Sequence, residues 1–484
     1  VIRNLVHPFS GRSRSRSRFA ALAAAAAGAA LLALVAQGSA SAVAVPALDQ
    51  NAPAVVLRVV KPTPAQVSLL SQSYDLLESR DGGDYFVLGN DATAKQAGTI
   101  STLRAQGLKV TLQQRLPVIP KATAKTRSAL QADGTLAAAA YGTFFGGYHT
   151  TDAQYQHLRD VAAAYPTLAK VVDYGDSWRK TQGLSTGSDL LAICITKIAT
   201  GDCALSPTAP KPRSMVISAI HARELATAEV TWNWIDYLTQ GYGTDATITS
   251  LLNSTEIWVV PVVNPDGRKI VESGGSAPYY QRKNANNTKG SCSNPPTSTN
   301  QYGVDLNRNG TFHWGGAGTS TNACDQQYKG TAAASEPETV ALQNLENQLY
   351  ADNRGTAITA AAPATATGTF MTYHSYAGLV LYPWGDVNTA APNGAKLRTL
   401  AAKLASYNGY TYGQPGVVLY NVSGSTDDDL YGRLGVASFT TELGAAGTSC
   451  DGFMPAYSCV ASRFWPQERQ SLLALAQAAS GPYK

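Results

Sequence analysis

Five short, almost uninterrupted apolar runs constrain this chain more than any other feature: "SMVISAI" (214–220), "EIWVVPVV" (256–263), "GTFMTY" (368–373), "GLVLYP" (378–383) and "ASFTTEL" (437–443). Runs of this length without polar alternation suit strands covered on both faces. Between them lie helical stretches, among them "TDAQYQHLRDVAAAYP" (151–166), "ELATAEVTWNWIDYLTQGYG" (224–243) and "SEPETVALQNLENQLYAD" (335–352). The alternation predicts one large α/β domain over residues 141–484, a mixed twisted sheet with helices on both faces. The sequence contains no internal repeat.

Upstream, the texture is different. "AVVLRVV" (54–60) reads as a strand and "PAQVSLLSQSYDLLES" (64–79) as a helix. "DYFVLG" (84–89) reads as a strand, "ATAKQAGTISTLRAQG" (92–107) as a helix and "KVTLQQ" (109–114) as a strand. Residues 43–118 are therefore expected to form a small α+β unit. Residues 119–140, rich in Ala, Thr and basic residues, are expected to be an exposed linker in which Lys121, Lys125 and Arg127 offer cleavage points. Residues 1–42 carry five arginines, an alanine-rich apolar stretch (19–36) and then "QGSASA", the order of a secretory signal. Its alanine content is of a bacterial kind. A membrane anchor is the rival reading of that stretch.

The net charge of +5 does not indicate a nucleic-acid partner. All of the excess lies in the five arginines of residues 1–42, leaving 33 basic against 33 acidic residues elsewhere. With 44% hydrophobic and 15% charged residues the composition is that of a globular protein. No later segment is expected to span a membrane. The six cysteines of an exported chain point to disulfides, and sequence proximity favours Cys194–Cys203, Cys292–Cys324 and Cys450–Cys459 among fifteen connectivities.

In an open α/β sheet, ligands bind beyond the carboxyl ends of the strands. His221 follows the first of the five runs, His374 follows the third and Glu442 lies at the end of the fifth. Zinc accepts imidazole nitrogen and carboxylate oxygen, and a catalytic site uses three such ligands. His221 and Glu224, three residues apart, can converge on one ion, with His374 the best third candidate. Alone, H-x-x-E is a weak signal.

The ordered motifs are stronger. "HARE" (221–224), "NPDG" (264–267), "RKN" (282–284), "DLNRN" (305–309), "SEPET" (335–339), "HSY" (374–376), "YNVSGSTDD" (420–428) and "TEL" (441–443) follow one another along the chain. Together they resemble the zinc carboxypeptidases of the pancreatic A/B type, the funnelins, over about residues 141–484. Position by position, the resemblance implies one zinc ion held by His221, Glu224 and His374. It implies Glu442 as general base and acid, and Arg282 as the donor to charge that builds on the carbonyl oxygen. Asn307 and Arg308 would bind the substrate's terminal carboxylate, Tyr420 would close over the terminal residue and Arg223 would bind the peptide further from the cut. Asp266 and Asp305 read as turn or supporting residues. The upstream unit and linker resemble in layout an inhibitory pro-segment, and Cys292 with Cys324 matches a disulfide common in the family.

Asp427 falls where the family's specificity pocket has its floor, apolar in A-type enzymes and aspartate in B-type. The run Asp427-Asp428-Asp429 puts an aspartate where the family usually has tryptophan, so the register of Asp427 against Asp428 stays open. The expectation is a secreted, extracellular, monomeric zinc carboxypeptidase made as a zymogen. It would act on peptide or protein C-termini after an activating protease has cut the linker, and would accept basic and also apolar C-terminal residues. A zinc amidohydrolase acting on cell-wall amides and a non-catalytic peptide-binding homologue are the alternatives.

Overall fold

The central strands arise where the apolar runs were read. The computed structural model describes residues 54–93, 98–115, 141–444 and 449–484, all within one unit, Val45–Lys484. The expected signal segment, residues 1–42, lies outside them, as does the whole of the linker expected over residues 119–140.

The small N-terminal sheet comprises β1 (Ala54–Val59), β2 (Asp75–Asp81), β3 (Asp84–Asn90) and β4 (Val110–Arg115), in the order β2-β3-β1-β4. Its two helices are Pro64–Ser73 and Thr99–Ala105. The first is closed at its start by a capping box between Thr63 and Gln66. Sequence periodicity carried that helix to residue 79. Instead Tyr74 turns to extended geometry and residues from Asp75 onward pair with β3. The spacing of Leu69, Leu70, Leu76 and Leu77 fits a helix, but strand pairing with a neighbour overrides the local pattern. The helix read over 92–107 is shorter too. It begins after Gly98, whose backbone is extended.

The chain then forms a two-strand ribbon, β5 (Thr143–Phe144) with β6 (Tyr148–His149), ahead of the helix Thr151–Ala164. The main sheet has eight strands. They are β7 (Ala169–Asp176), β8 (Asp189–Ile195), β9 (Arg213–Ile217), β10 (Glu256–Val260), β11 (Thr369–Ser375), β12 (Leu379–Leu381), β13 (Thr411–Gly413) and β14 (Ala437–Leu443). Their order is β13-β12-β14-β11-β9-β10-β8-β7. The inner four, β14-β11-β9-β10, are mutually parallel. Antiparallel neighbours flank them, β12 on one side and β8 on the other.

Both faces of the inner strands are covered, which explains their unbroken apolar character. Val216, Ile257 and Val259 face one core cluster; Met215, Ile217, Trp258 and Val260 face the other. The helices Thr151–Ala164, Leu225–Gly241, Gly394–Asn408 and Trp465–Ala478 contribute to the first cluster, and Pro337–Leu349 to the second. The disulfides are Cys194–Cys203, Cys292–Cys324 and Cys450–Cys459. Among the described residues no helix is long and apolar enough to cross a membrane.

Candidate metal centre and substrate pocket

His221, Glu224, His374 and Glu442 lie at or just beyond the carboxyl ends of the parallel strands. After β9 the chain reaches His221 through Ala219, whose φ of 50° lies in the left-handed region. Alanine tolerates that turn at a modest cost, and the Thr227 hydroxyl accepts its amide hydrogen at 3.2 Å. Glu224 stands immediately before the helix Leu225–Gly241. His374 lies within β11, one residue before its end, directly opposite Glu442 on β14 in the parallel register. Two strands thus bring a histidine and a carboxylate side by side, although 68 residues separate them in the chain.

His221, Glu224 and His374 are all buried, and one ligand atom from each lies within 4.8 Å of the others. The Nδ1 atoms of the two histidines are 3.0 Å apart. Glu224 reaches both, Oε1 at 2.7 Å from His221 Nδ1 and Oε2 at 3.2 Å from His374 Nδ1. Two imidazole nitrogens and a carboxylate converging on one buried point are the donor set of a divalent cation such as zinc. Burial opposes ionisation of Glu224, but the two imidazoles overcome it and hold the carboxyl well below its usual range. The far side of His221 is fixed as well, with Nε2 3.1 Å from Asp305 Oδ1. Asp305 Oδ2 accepts from Arg282 Nε at 3.0 Å. One carboxylate therefore orients a metal-site histidine and Arg282 together.

The neighbouring motifs hold these segments in place. Asn264 caps the helix Pro265–Ser273 through Gly267 N at 2.9 Å. Its amide donates to Ile220 O at 3.1 Å and Arg282 O at 3.5 Å, so "NPDG" ties "HARE" to "RKN". Gly267 is required by space, since a Cβ there would lie 2.5 Å from Lys283 O. Asn284 donates to Glu336 at 2.8 Å and Glu338 at 3.1 Å, which explains "SEPET" as a structural motif. Asp266 accepts from Ser177 Oγ at 2.9 Å and Arg179 N at 2.6 Å, away from the donor cluster.

Beside the candidate metal centre is a pocket lined in part by His221, Asn307, Arg308, Tyr420, Asp427 and Glu442. Asn307 and Arg308 occupy a short 3₁₀ turn, Leu306–Arg308. Asn307 Oδ1 accepts from Thr426 N at 2.9 Å. The Arg308 guanidinium donates to two carbonyls, Gly318 O and Asn307 O, each at 2.9 Å. It is buried and has no carboxylate within ion-pair distance among the described residues, an arrangement suited to an incoming anion.

The triple aspartate resolves by helical rotation. All three residues lie in the first turn of the helix Thr426–Leu434, where its dipole favours negative charge. Successive residues of a helix point about 100° apart, so they diverge. Asp427 lines the cavity. Asp428 turns to the neighbouring loop, accepting from Gly385 N at 2.7 Å and Asp386 N at 3.3 Å. Burial and the adjacent Asp427 push its carboxyl well above the usual range. Asp429 accepts from Phe312 N at 2.8 Å and pairs with Arg433 at 2.7 Å.

Arg223 is wholly buried but points elsewhere. Its guanidinium grips Asp75 of the small sheet through two contacts, at 2.6 and 2.8 Å, and lies 3.9 Å from the Phe453 ring centre. Nothing in the sequence signalled Asp75, because it fell inside the stretch read as a helix. Phe453 could have been suspected only from its place inside the Cys450–Cys459 loop.

A parallel-centred α/β sheet with a buried His/Glu/His cluster and an adjoining pocket is an arrangement that fits a metal-dependent α/β hydrolase. Residues 154–471 match the family model described as zinc carboxypeptidase, and the chain belongs to that family. It is 29% identical to carboxypeptidase A1 of Rattus norvegicus over 338 residues, 68% of this chain and 69% of that protein. It is 31% identical to carboxypeptidase B of Homo sapiens over 245 residues, which cover 49% and 52% of the two chains. Two solved structures share the fold. Carboxypeptidase A of Helicoverpa armigera has a TM-score of 0.65 at 21% identity, covering 88% of this chain and 98% of that one. Thrombin activatable fibrinolysis inhibitor has a TM-score of 0.63 at 21% identity, with 89% and 98% covered.

Proposed function

We propose that this protein is a secreted zinc carboxypeptidase, made as a zymogen, that releases single residues from peptide C-termini. The observation that carries the reading is a pocket lined together by Glu442, Arg308 and Asp427 beside the His221, Glu224 and His374 cluster. Zinc bound at those three residues supplies an acidified water, with a pKa near about 7, and a Lewis-acid pull on a carbonyl oxygen. Glu442 takes a proton from the attacking water and returns it to the departing amine. Arg282, oriented by Asp305, donates to the oxygen on which negative charge develops. Arg308 and Asn307 hold the free carboxylate, which defines the C-terminal residue, and Tyr420 covers that residue. Three disulfides favour an oxidising, extracellular location.

Asp427 would give the pocket its side-chain preference. With Asp428 turned away to Gly385 and Asp386, Asp427 is the carboxylate of the triple aspartate that lines the pocket, which favours C-terminal Arg or Lys. The rest of the lining, including Leu381, Leu419 and Val422, leaves room for apolar residues. Asp427→Asn is expected to lower the kcat/KM ratio of hippuryl-Arg to hippuryl-Phe by about 30-fold, the effect of about 2 kcal/mol. Asp428→Asn should leave that ratio nearly unchanged. Rapid cleavage of hippuryl-Phe with no cleavage of hippuryl-Arg or hippuryl-Lys by the wild type contradicts the assignment.

The zymogen reading rests on what residues 74–76 do. Tyr74 O accepts from Gln327 Nε2 at 3.0 Å, Asp75 pairs with Arg223, and Leu76 O accepts from the Tyr420 hydroxyl at 3.3 Å. The small sheet also buries Val56, Leu77, Phe86 and Leu88 against Tyr376 and Phe453. Tyr420 is thereby tied to the segment that would have to leave. Trypsin treatment is expected to raise hydrolysis by at least about tenfold, the factor produced by about 1.4 kcal/mol of docking preference. Full activity with residues 119–140 uncut argues against a zymogen.

A further inference from the structure

Four donors converge on the buried carboxylate of Asp429. Thr311 Oγ1 and Phe312 N donate to Oδ1 at 3.0 and 2.8 Å, while Gln343 Nε2 and Arg433 Nε donate to Oδ2 at 3.0 and 2.7 Å. A carboxylate can accept on both oxygens at once, whereas an amide of the same shape must aim its NH2 at one of the two donor pairs.

These donors lie on three different segments. Arg433 is one turn further along the same helix, Thr426–Leu434. Gln343 belongs to the helix Pro337–Leu349, to which Arg433 is also tied through Glu346. Thr311 and Phe312 follow directly on the turn Leu306–Arg308. The joint between that turn and the helix is close as well as polar. Gly310 N donates to Gly424 O at 3.0 Å, and a methyl at Gly310 would lie 2.9 Å from that oxygen and 3.1 Å from Asp429 Cβ. A methyl at Gly432 would lie 2.5 Å from the Phe312 ring.

Each of the two joined segments carries one charge of the pocket. Asp427 stands in the first turn of the helix and Arg308 ends the 3₁₀ turn; both line the pocket, and Asp429 does not. A C-terminal Lys or Arg bears a carboxylate and a cation on one residue, so pairing both at once requires Arg308 and Asp427 at a matching distance.

We infer that Asp429 is a positioning residue for side-chain specificity: its carboxylate fastens the helix bearing Asp427 to the segment bearing Arg308, and so sets the depth at which a basic C-terminal side chain is paired. The inference rests on the carboxypeptidase reading and on the Asp427 assignment. It adds to them a residue that acts on the substrate only through others.

The test is a double-mutant cycle on trypsin-treated, zinc-loaded enzyme with hippuryl-Arg, hippuryl-Lys and hippuryl-Phe. Asp429→Asn is expected to lower the kcat/KM ratio of hippuryl-Arg to hippuryl-Phe by about fivefold. It should also change the ratio of hippuryl-Arg to hippuryl-Lys, whose cations differ in reach. In the Asp427→Asn background the same substitution should leave both ratios unchanged, because a residue acting through Asp427 then has nothing to position. Thr311→Val removes one donor and no charge. It should shift the ratios in the same direction by less, and it carries the cycle if Asp429→Asn does not fold.

Equal losses on all three substrates overturn the inference, since they mark general damage. A fall in the ratio that persists in the Asp427→Asn background also overturns it, because Asp429 then acts through its own field. Both results leave the carboxypeptidase reading intact. Cleavage of hippuryl-Phe but of neither basic substrate by the wild type overturns the Asp427 assignment and this role together. No cleavage of any of the three, with zinc bound, overturns the carboxypeptidase reading. In that case the cycle is read from calorimetric binding of the same compounds, and binding ratios unaltered by Asp429→Asn overturn the inference too.

Discussion

Glu442→Gln is expected to lower kcat by about 10²–10⁴, the usual contribution of a positioned general acid-base group. Glutamine keeps the shape of the side chain and its place on β14 opposite His374, but cannot accept and return a proton. The three proposed metal ligands, His221, Glu224 and His374, are untouched, so zinc content should remain near one per chain and KM should change little. This combination separates a chemical role from a structural one. A variant that loses zinc or unfolds would show Glu442 to be part of the scaffold. Undiminished kcat with zinc in place would put the proton transfer elsewhere.

Arg308→Ala is expected to be about as damaging but to report differently. The guanidinium is buried, held by two carbonyl oxygens and without a carboxylate partner among the described residues. Its interaction with a terminal carboxylate would therefore be a desolvated charge pair, and truncating one partner of such a pair costs about 3–4 kcal/mol. kcat/KM for a free-acid peptide should fall by about 10²–10³ on that scale. The amide of the same peptide, a poor substrate of the wild type, should be cleaved almost as before. Arg308→Lys should recover only part of the loss, because an ammonium cannot match the two-point geometry. Equal losses on acid and amide would mean that Arg308 does not read the terminus.

The sequence revealed the parts of this protein whose signals are local. β10, β11 and β14 are buried along their whole length, and continuous apolar runs announced them. β7 was not read, since its exposed and half-buried positions break the apolar pattern. β8 was not read either, although it is almost wholly buried. Residues 75–79 were misread because their leucine spacing suits a helix, whereas their pairing with β3 is tertiary.

The candidate site divides the same way. Ordered motifs located His221, Glu224, His374 and Glu442, but not the register that sets His374 beside Glu442. "DDD" could not say which carboxylate enters the pocket, since that depends on the rotation of the helix Thr426–Leu434. Asp75 was beyond reach, because its partner Arg223 is 148 residues away, in the turn between β9 and the helix Leu225–Gly241.

The most direct measurement is zinc content together with release of the C-terminal residue from hippuryl-Arg and hippuryl-Phe by trypsin-treated protein. Both are followed before chelation by 1,10-phenanthroline, after it, and after zinc is restored. The account predicts about one zinc per chain, release of a single C-terminal residue, loss of activity on chelation and recovery with zinc. Correctly processed, zinc-loaded protein that releases nothing from either substrate would contradict it.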